Sequence, residues 1–80
     1  MPISPVKPDA TAVDVTVPDD RLVVILADGR ELATPIARFP RLSAATSELR
    51  RNRRFIGRGH GIHWPDVDED ISIASLLRAA

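Results

Sequence analysis

Apolar and polar residues alternate cleanly in the first third of the chain. In Ala12-Val13-Asp14-Val15-Thr16-Val17, the three valines share one face and Asp14 and Thr16 the other, which is the period of a half-buried strand. Pro18 ends it and Asp19-Asp20 supplies a turn. Leu22-Val23-Val24-Ile25-Leu26-Ala27 is almost continuously apolar, so it predicts a strand central in its sheet and covered on both faces. Asp28-Gly29 then predicts a type I′ hairpin turn, which needs positive φ at both central residues. Arg30 to Pro35 return as a third strand, completing an antiparallel meander.

Beyond Pro35 the period of two is lost. Leu42, Ala45, Thr46 and Leu49 fall at helical spacing on one stripe, with Pro40 suited to a first turn. Thr46 could instead cap a second helix starting at Ser47, and propensity does not choose between one helix and two. Phe55-Ile56 reads as a short strand, Gly57 to Gly61 as a tight loop, and Ile62-His63-Trp64 as a second short strand closed by Pro65. The acidic run Asp66, Asp68, Glu69 and Asp70 is expected to turn the chain. Ser72 would then cap a last helix whose apolar face is Ile73, Leu76 and Leu77. The expected fold class is α+β: a small antiparallel sheet, made of a three-stranded meander plus a short hairpin, with a central basic helical segment and a C-terminal helix. Pro2, Pro5 and Pro8 predict a flexible arm over residues 1–10, leaving residues 11–80 as one domain.

Eighty residues hold one domain, which removes only about 60% of its unfolded surface from water. Cysteine is absent, which excludes disulfides, thiolate metal sites and a thiol nucleophile and points to the cytoplasm. No segment has the pattern of a secretory signal or the roughly 20 apolar residues of a membrane span. The net charge of zero conceals segregation. Seven arginines lie between Arg38 and Arg58 against the single acid Glu48, and acids collect in Asp66, Asp68, Glu69 and Asp70. A basic middle of this kind can meet a polyanion, an acidic protein, or the chain's own acidic surface.

Most chemical motifs in the chain have a plainer reading. His60 and His63 with the following acids offer metal-ligand atoms, but the spacing crosses a Gly-rich turn and no cysteine completes a site. Gly57-x-Gly59-x-Gly61 resembles a phosphate loop, yet it leads into a strand and not into a helix N-terminus. No nucleophile elbow occurs, and His60 with Asp66 is the one acid/base pair to weigh. The expectation is a domain with no catalytic residues, no cofactor and no metal. Arg50, Arg51, Arg53, Arg54 and Arg58, with Trp64, form the surface expected to meet a partner, and the plain alternative for this basic stretch is a solvated helix end.

Asp28-Gly29-Arg30, Phe39-Pro40-Arg41-Leu42, Ala45-Thr46, Gly57-x-Gly-x-Gly-Ile62-His63-Trp64-Pro65 and Asp68-Glu69-Asp70-Ile71-Ser72 resemble the bacterial family called domain of unknown function 2442. The likeness spans about Val13 to Leu77. It implies a small α+β domain, often encoded beside another small protein in loci resembling toxin-antitoxin pairs, and it brings no catalytic residues. Where the family tends to have an aromatic and a glycine, this chain has Arg53 and Arg58, which makes the basic region more basic. The function expected is protein binding, as the antitoxin-like or accessory member of a two-gene module with a neighbour-encoded protein partner such as a toxin. The alternative is nucleic-acid binding by the Arg50 to Arg58 cluster. A homodimer is a further option, because a small sheet gains from covering an edge. No membrane contact is expected.

Overall fold

In the computed structural model, which describes residues 9–79, the meander is formed by β1 (Ala12–Thr16), β2 (Arg21–Leu26) and β3 (Glu31–Pro35), in the order β1-β2-β3. The N-terminal arm lies outside the described residues except for Asp9 and Ala10. Two details differ from the sequence pattern. The register passes from Ala12↔Leu26 to Asp14↔Ile25, so Val13 is the extra residue of a β-bulge. The bulge turns Ala12 and Val15 into the core and leaves Val13 outside, breaking the expected Val13-Val15-Val17 face. In β2, Leu22, Val24 and Leu26 are buried while Val23 and Ile25 are only half-buried, so one face of this central strand is covered completely and the other in part.

The hairpin after β2 is not a type I′ turn. The Gly29 N–H donates to the Leu26 carbonyl at 3.0 Å and the Leu26 N–H to the Arg30 carbonyl at 2.8 Å, closing a three-residue loop. Gly29 has positive φ (93°) and Asp28 does not. Asp28 instead uses its side chain, whose Oδ1 accepts the Arg30 N–H two residues on at 3.1 Å, so the turn closes with one left-handed residue.

A single 3₁₀ turn, Ile36–Arg38, carries Ile36 into the core. The basic segment is two short helices, α1 (Pro40–Ser43) and α2 (Ser47–Arg51). Thr46 separates them: its backbone is extended and its Oγ1 accepts the Leu49 N–H at 3.2 Å. Leu42 of the expected stripe is buried and Ala45 and Leu49 are half-buried.

A second antiparallel sheet follows, with β4 (Arg54–Ile56), β5 (Gly61–Trp64) and β6 (Glu69–Ser72) in that order. The expected short hairpin therefore has a third strand, formed from residues whose acidity suggested a turn. Ile71 explains it: it lies opposite Ile62 and both are buried, while Asp70 faces His63 on the other side of the sheet. Ser72 caps α3 (Ile73–Ala79) as expected, its Oγ accepting the Ser75 N–H at 3.0 Å. Between β4 and β5, Gly57, Arg58 and Gly59 all have positive φ (56°, 57° and 86°).

The fold is thus α+β, two three-stranded antiparallel sheets with short helices and a C-terminal helix. Ala12, Val15, Leu22, Val24, Leu26 and Ile36 from the first half join Leu42, Ile62, Trp64, Ile71, Ile73 and Leu76 from the second in one core. Among the described residues no helix is long and apolar enough to cross a membrane.

Candidate binding surface

The arginines of the basic segment divide into two groups. Arg50 is half-buried and works within the fold: its Nε donates to the Leu42 carbonyl at 2.9 Å and its Nη2 to the Ser43 carbonyl at 3.0 Å. These are carbonyls at the end of α1, where a helix leaves acceptors without intrahelical partners, so Arg50 clips α2 onto the end of α1. Arg53 is also half-buried. Its Nη2 donates to the Val15 carbonyl at 3.2 Å and lies 3.4 Å from Asp14 Oδ1. Asp14 Oδ1 in turn accepts the Val15 N–H at 2.8 Å, so this ion pair covers both backbone groups of Val15 on the open side of β1. Arg51, Arg54 and Arg58 are exposed, and no carboxylate pairs with any of them among the described residues.

Trp64 belongs to the core and not to the expected surface. It is 0% exposed, and its indole N–H donates to the Arg50 carbonyl at 2.9 Å. A buried indole with its one donor satisfied is a packing anchor. Here it holds the end of α2 against the second sheet, so its link to the basic segment runs through the backbone of Arg50.

The acidic run does not fold back on these arginines. Asp66 accepts from Asn52 Nδ2, the Asp68 carbonyl accepts from Arg41 Nη1, and Asp70 meets the Nδ1 of His63 across the strand pair. His63 therefore finds a carboxylate at its cross-strand position, while His60 is exposed in the turn before β5. Among the described residues no three His, Asp or Glu side chains gather as a metal would require. The strongest electrostatic effect among the described residues lies elsewhere, in the hairpin between β2 and β3. Asp28 Oδ2 accepts from Arg30 Nε and from the Asp9 N–H, both at 2.9 Å. The Arg30 side chain first, and that N–H second, hold the Asp28 carboxyl down to about 2.

Among the described residues, two clefts stand out. One, of about 470 Å³, is lined by Val15, Thr16 and Val17 of the β1 side and by Ser47, Arg50, Arg51 and Arg53. The other, of about 440 Å³, runs between Thr34, Arg38 and Phe39 and the β6–α3 junction from Asp70 to Leu76. The first brings together Arg50, Arg51 and Arg53. Arg54 and Arg58 lie outside its lining, on β4 and on the turn that follows it. Val13 and Ile56, exposed and apolar, escape sequence reasoning; Val13 follows from a bulge that no periodicity reveals, and Ile56 from the edge position of β4.

A family model described as Protein of unknown function (DUF2442) matches residues 12–80. No curated protein matches the chain. Two solved structures are similar. A protein of unknown function from Rhodospirillum rubrum is 25% identical with a TM-score of 0.75, over 86% of each chain. An uncharacterized protein from Chromobacterium violaceum is 28% identical with a TM-score of 0.73, over 85% of this chain and 64% of that one.

Proposed function

Because the chain belongs to this family, whose description assigns no activity, its function has to be argued from its own surface, and we propose that it is a small non-catalytic domain that binds another protein through its exposed arginines. One observation carries the reading. Asp66 meets Asn52, Asp70 meets His63 and the Asp68 backbone carbonyl meets Arg41, and Arg51, Arg54 and Arg58 are left exposed without carboxylate partners among the described residues. Arginine presents a planar fork that matches carboxylates, so an acidic protein surface complements this side of the molecule. The cysteine-free chain suits the reducing cytoplasm. The partner of first choice is a protein encoded beside it, as the family resemblance implies, and an antitoxin-like role toward that neighbour is part of the proposal.

The test is co-expression of the tagged domain with its neighbouring genes, followed by capture and washing at low and high salt. A neighbour-encoded protein held in fixed ratio, and lost from the triple variant Arg51→Glu, Arg54→Glu, Arg58→Glu, is the expected result. Rescue of growth from that neighbour's toxicity would add the antitoxin-like role. Nucleic acid recovered in place of protein, and released by salt, would overturn the reading and assign the same arginines to phosphates.

A further inference from the structure

Of the two clefts, the one between β1 and α2 carries a single sign of charge. Arg50, Arg51 and Arg53 line it with the exposed Thr16 and Ser47 and with Val15 and Val17, and no acid does, whereas the other is lined by both Arg38 and Asp70. Ser47, Arg50 and Arg51 fall on one side of α2, because residues three and four apart are neighbours on a helix surface. The acids adjacent in sequence stand outside this lining. Asp14 offsets Arg53, whose Nη2 lies 3.4 Å from Asp14 Oδ1. Glu48 is exposed and forms an ion pair with none of the three arginines. The charges of Arg50 and Arg51 are therefore left without a carboxylate among the described residues.

The walls of this cleft are held by the fold itself. Arg53 joins the chain beyond α2 to β1 through the Val15 carbonyl. Arg50 is fixed on the carbonyls of Leu42 and Ser43, and its own carbonyl accepts the Trp64 indole N–H. These bonds orient the guanidinium groups without cancelling their charge, and a guanidinium carries more donors than they use. Arg50 Nη1, Arg53 Nε and Nη1, and the whole Arg51 fork make no hydrogen bond among the described residues. Charged donors that are already positioned receive an anion at a smaller ordering cost than free side chains would.

We propose that this cleft binds a small phosphomonoester, its phosphate received by Arg51, by the hydroxyls of Ser47 and Thr16, and by the remaining donors of Arg50 and Arg53. This goes beyond the protein-binding reading, shares only Arg51 with it, and stands if that reading fails. The donors select the ligand. A carboxylate presents two oxygens and one charge, which a single arginine fork satisfies, whereas a phosphomonoester presents three terminal oxygens and up to two charges. Two is the number of guanidinium charges left uncompensated in the lining. The volume of about 470 Å³ falls within the range of small-molecule sites, roughly 300–1,000 Å³, and exceeds what a bare phosphate fills, so the ester group has room on the Val17 side. A nucleic-acid backbone presents single charges in a row and would be met as well by Arg54 and Arg58, which lie outside this lining.

The probe is phenyl phosphate, titrated into the full chain by isothermal calorimetry beside benzoate and a hydroxyl-ended single-stranded DNA. Phenyl phosphate should bind at least roughly tenfold more tightly than benzoate. Arg51→Ala should weaken it by roughly tenfold or more, since a hydrogen bond to a charged group is lost. Arg51→Gln, which keeps most of the side chain, should do the same and tests that group a second time, and thermal melts show that each variant is folded. The double variant Arg54→Ala, Arg58→Ala should bind phenyl phosphate like the parent; it removes arginines of the protein-binding reading and spares the cleft, so the two readings fail separately. Absence of phenyl phosphate binding at roughly millimolar concentration would overturn the proposal. Equal affinity for benzoate, or an equal loss in the Arg54, Arg58 variant, would do so too. DNA that binds more tightly and displaces phenyl phosphate would also overturn it, because the cleft would then belong to a nucleic-acid backbone.

Discussion

Gly57, Arg58 and Gly59 stand in sequence at positive φ, yet an arginine occupies the middle position. For an L-residue with a side chain that conformation costs roughly 1–2 kcal/mol, because Cβ crowds the backbone. Arg58 carries this cost, and an exposed guanidinium with no carboxylate partner among the described residues is what the position gains in return. Gly59 is a different case. It is buried as well as left-handed, and any Cβ there would run into the Ala12 backbone. Chemical denaturation of two variants should separate the cases. Arg58→Gly should match the parent or exceed it by up to about 1 kcal/mol, while Gly59→Ala should lose about 2 kcal/mol or more. A clear loss in Arg58→Gly would mean that the arginine side chain holds the fold together and is not spare for a partner. Trp64 teaches the same separation of roles from the other direction: a lone tryptophan beside a basic segment suggests an interface, and the structure uses it as the anchor beneath that segment.

Among the elements, the hairpin joining β2 to β3 has a built-in dependence on pH. Its Asp28 carboxyl is lowered from 3.8 to about 2 by the Arg30 side chain and then by the Asp9 N–H, and Asp9 is itself lowered, chiefly by the Thr11 hydroxyl. A carboxyl that ionises more readily when folded stabilises the fold in its ionised form. That stabilisation is complete above the unfolded value near 3.8 and is lost as pH falls from there towards 2. Melting temperatures of the parent and of Asp28→Asn should therefore differ at neutral pH and converge near pH 2; parallel curves across that range would deny the carboxylate its part in the turn. The hairpin's place in the chain was legible from Asp28-Gly29, and the meander and the last helix were legible from apolar periodicity. What periodicity missed has identifiable causes. A bulge shifts the phase of β1 by one residue at Val13, and β6 hides a single buried position, Ile71, among acids whose own preferences are for turns. Within the binding surface, sequence alone marked the arginines but could not say that Arg50 and Arg53 are spent on the carbonyls of Leu42, Ser43 and Val15, because those contacts depend on where α1 and β1 come to lie.

The whole molecule is two small sheets that share one core, with the meander supplying Leu22, Val24 and Leu26 and the second sheet supplying Ile62, Trp64 and Ile71. Neither sheet buries its apolar face without the other, since a three-stranded sheet needs a covering layer and each is here the other's cover together with α3. A polar link reinforces this, since Arg53 beside β4 reaches Asp14 and Val15 of β1. The two sheets should consequently unfold as one unit. The chain has a single tryptophan, placed in β5, so its fluorescence reports on the second sheet while the far-UV signal reports on all the strands and helices. Urea transitions followed by the two signals should coincide in midpoint and slope. A fluorescence transition that came first would mean that the second sheet opens while the meander persists.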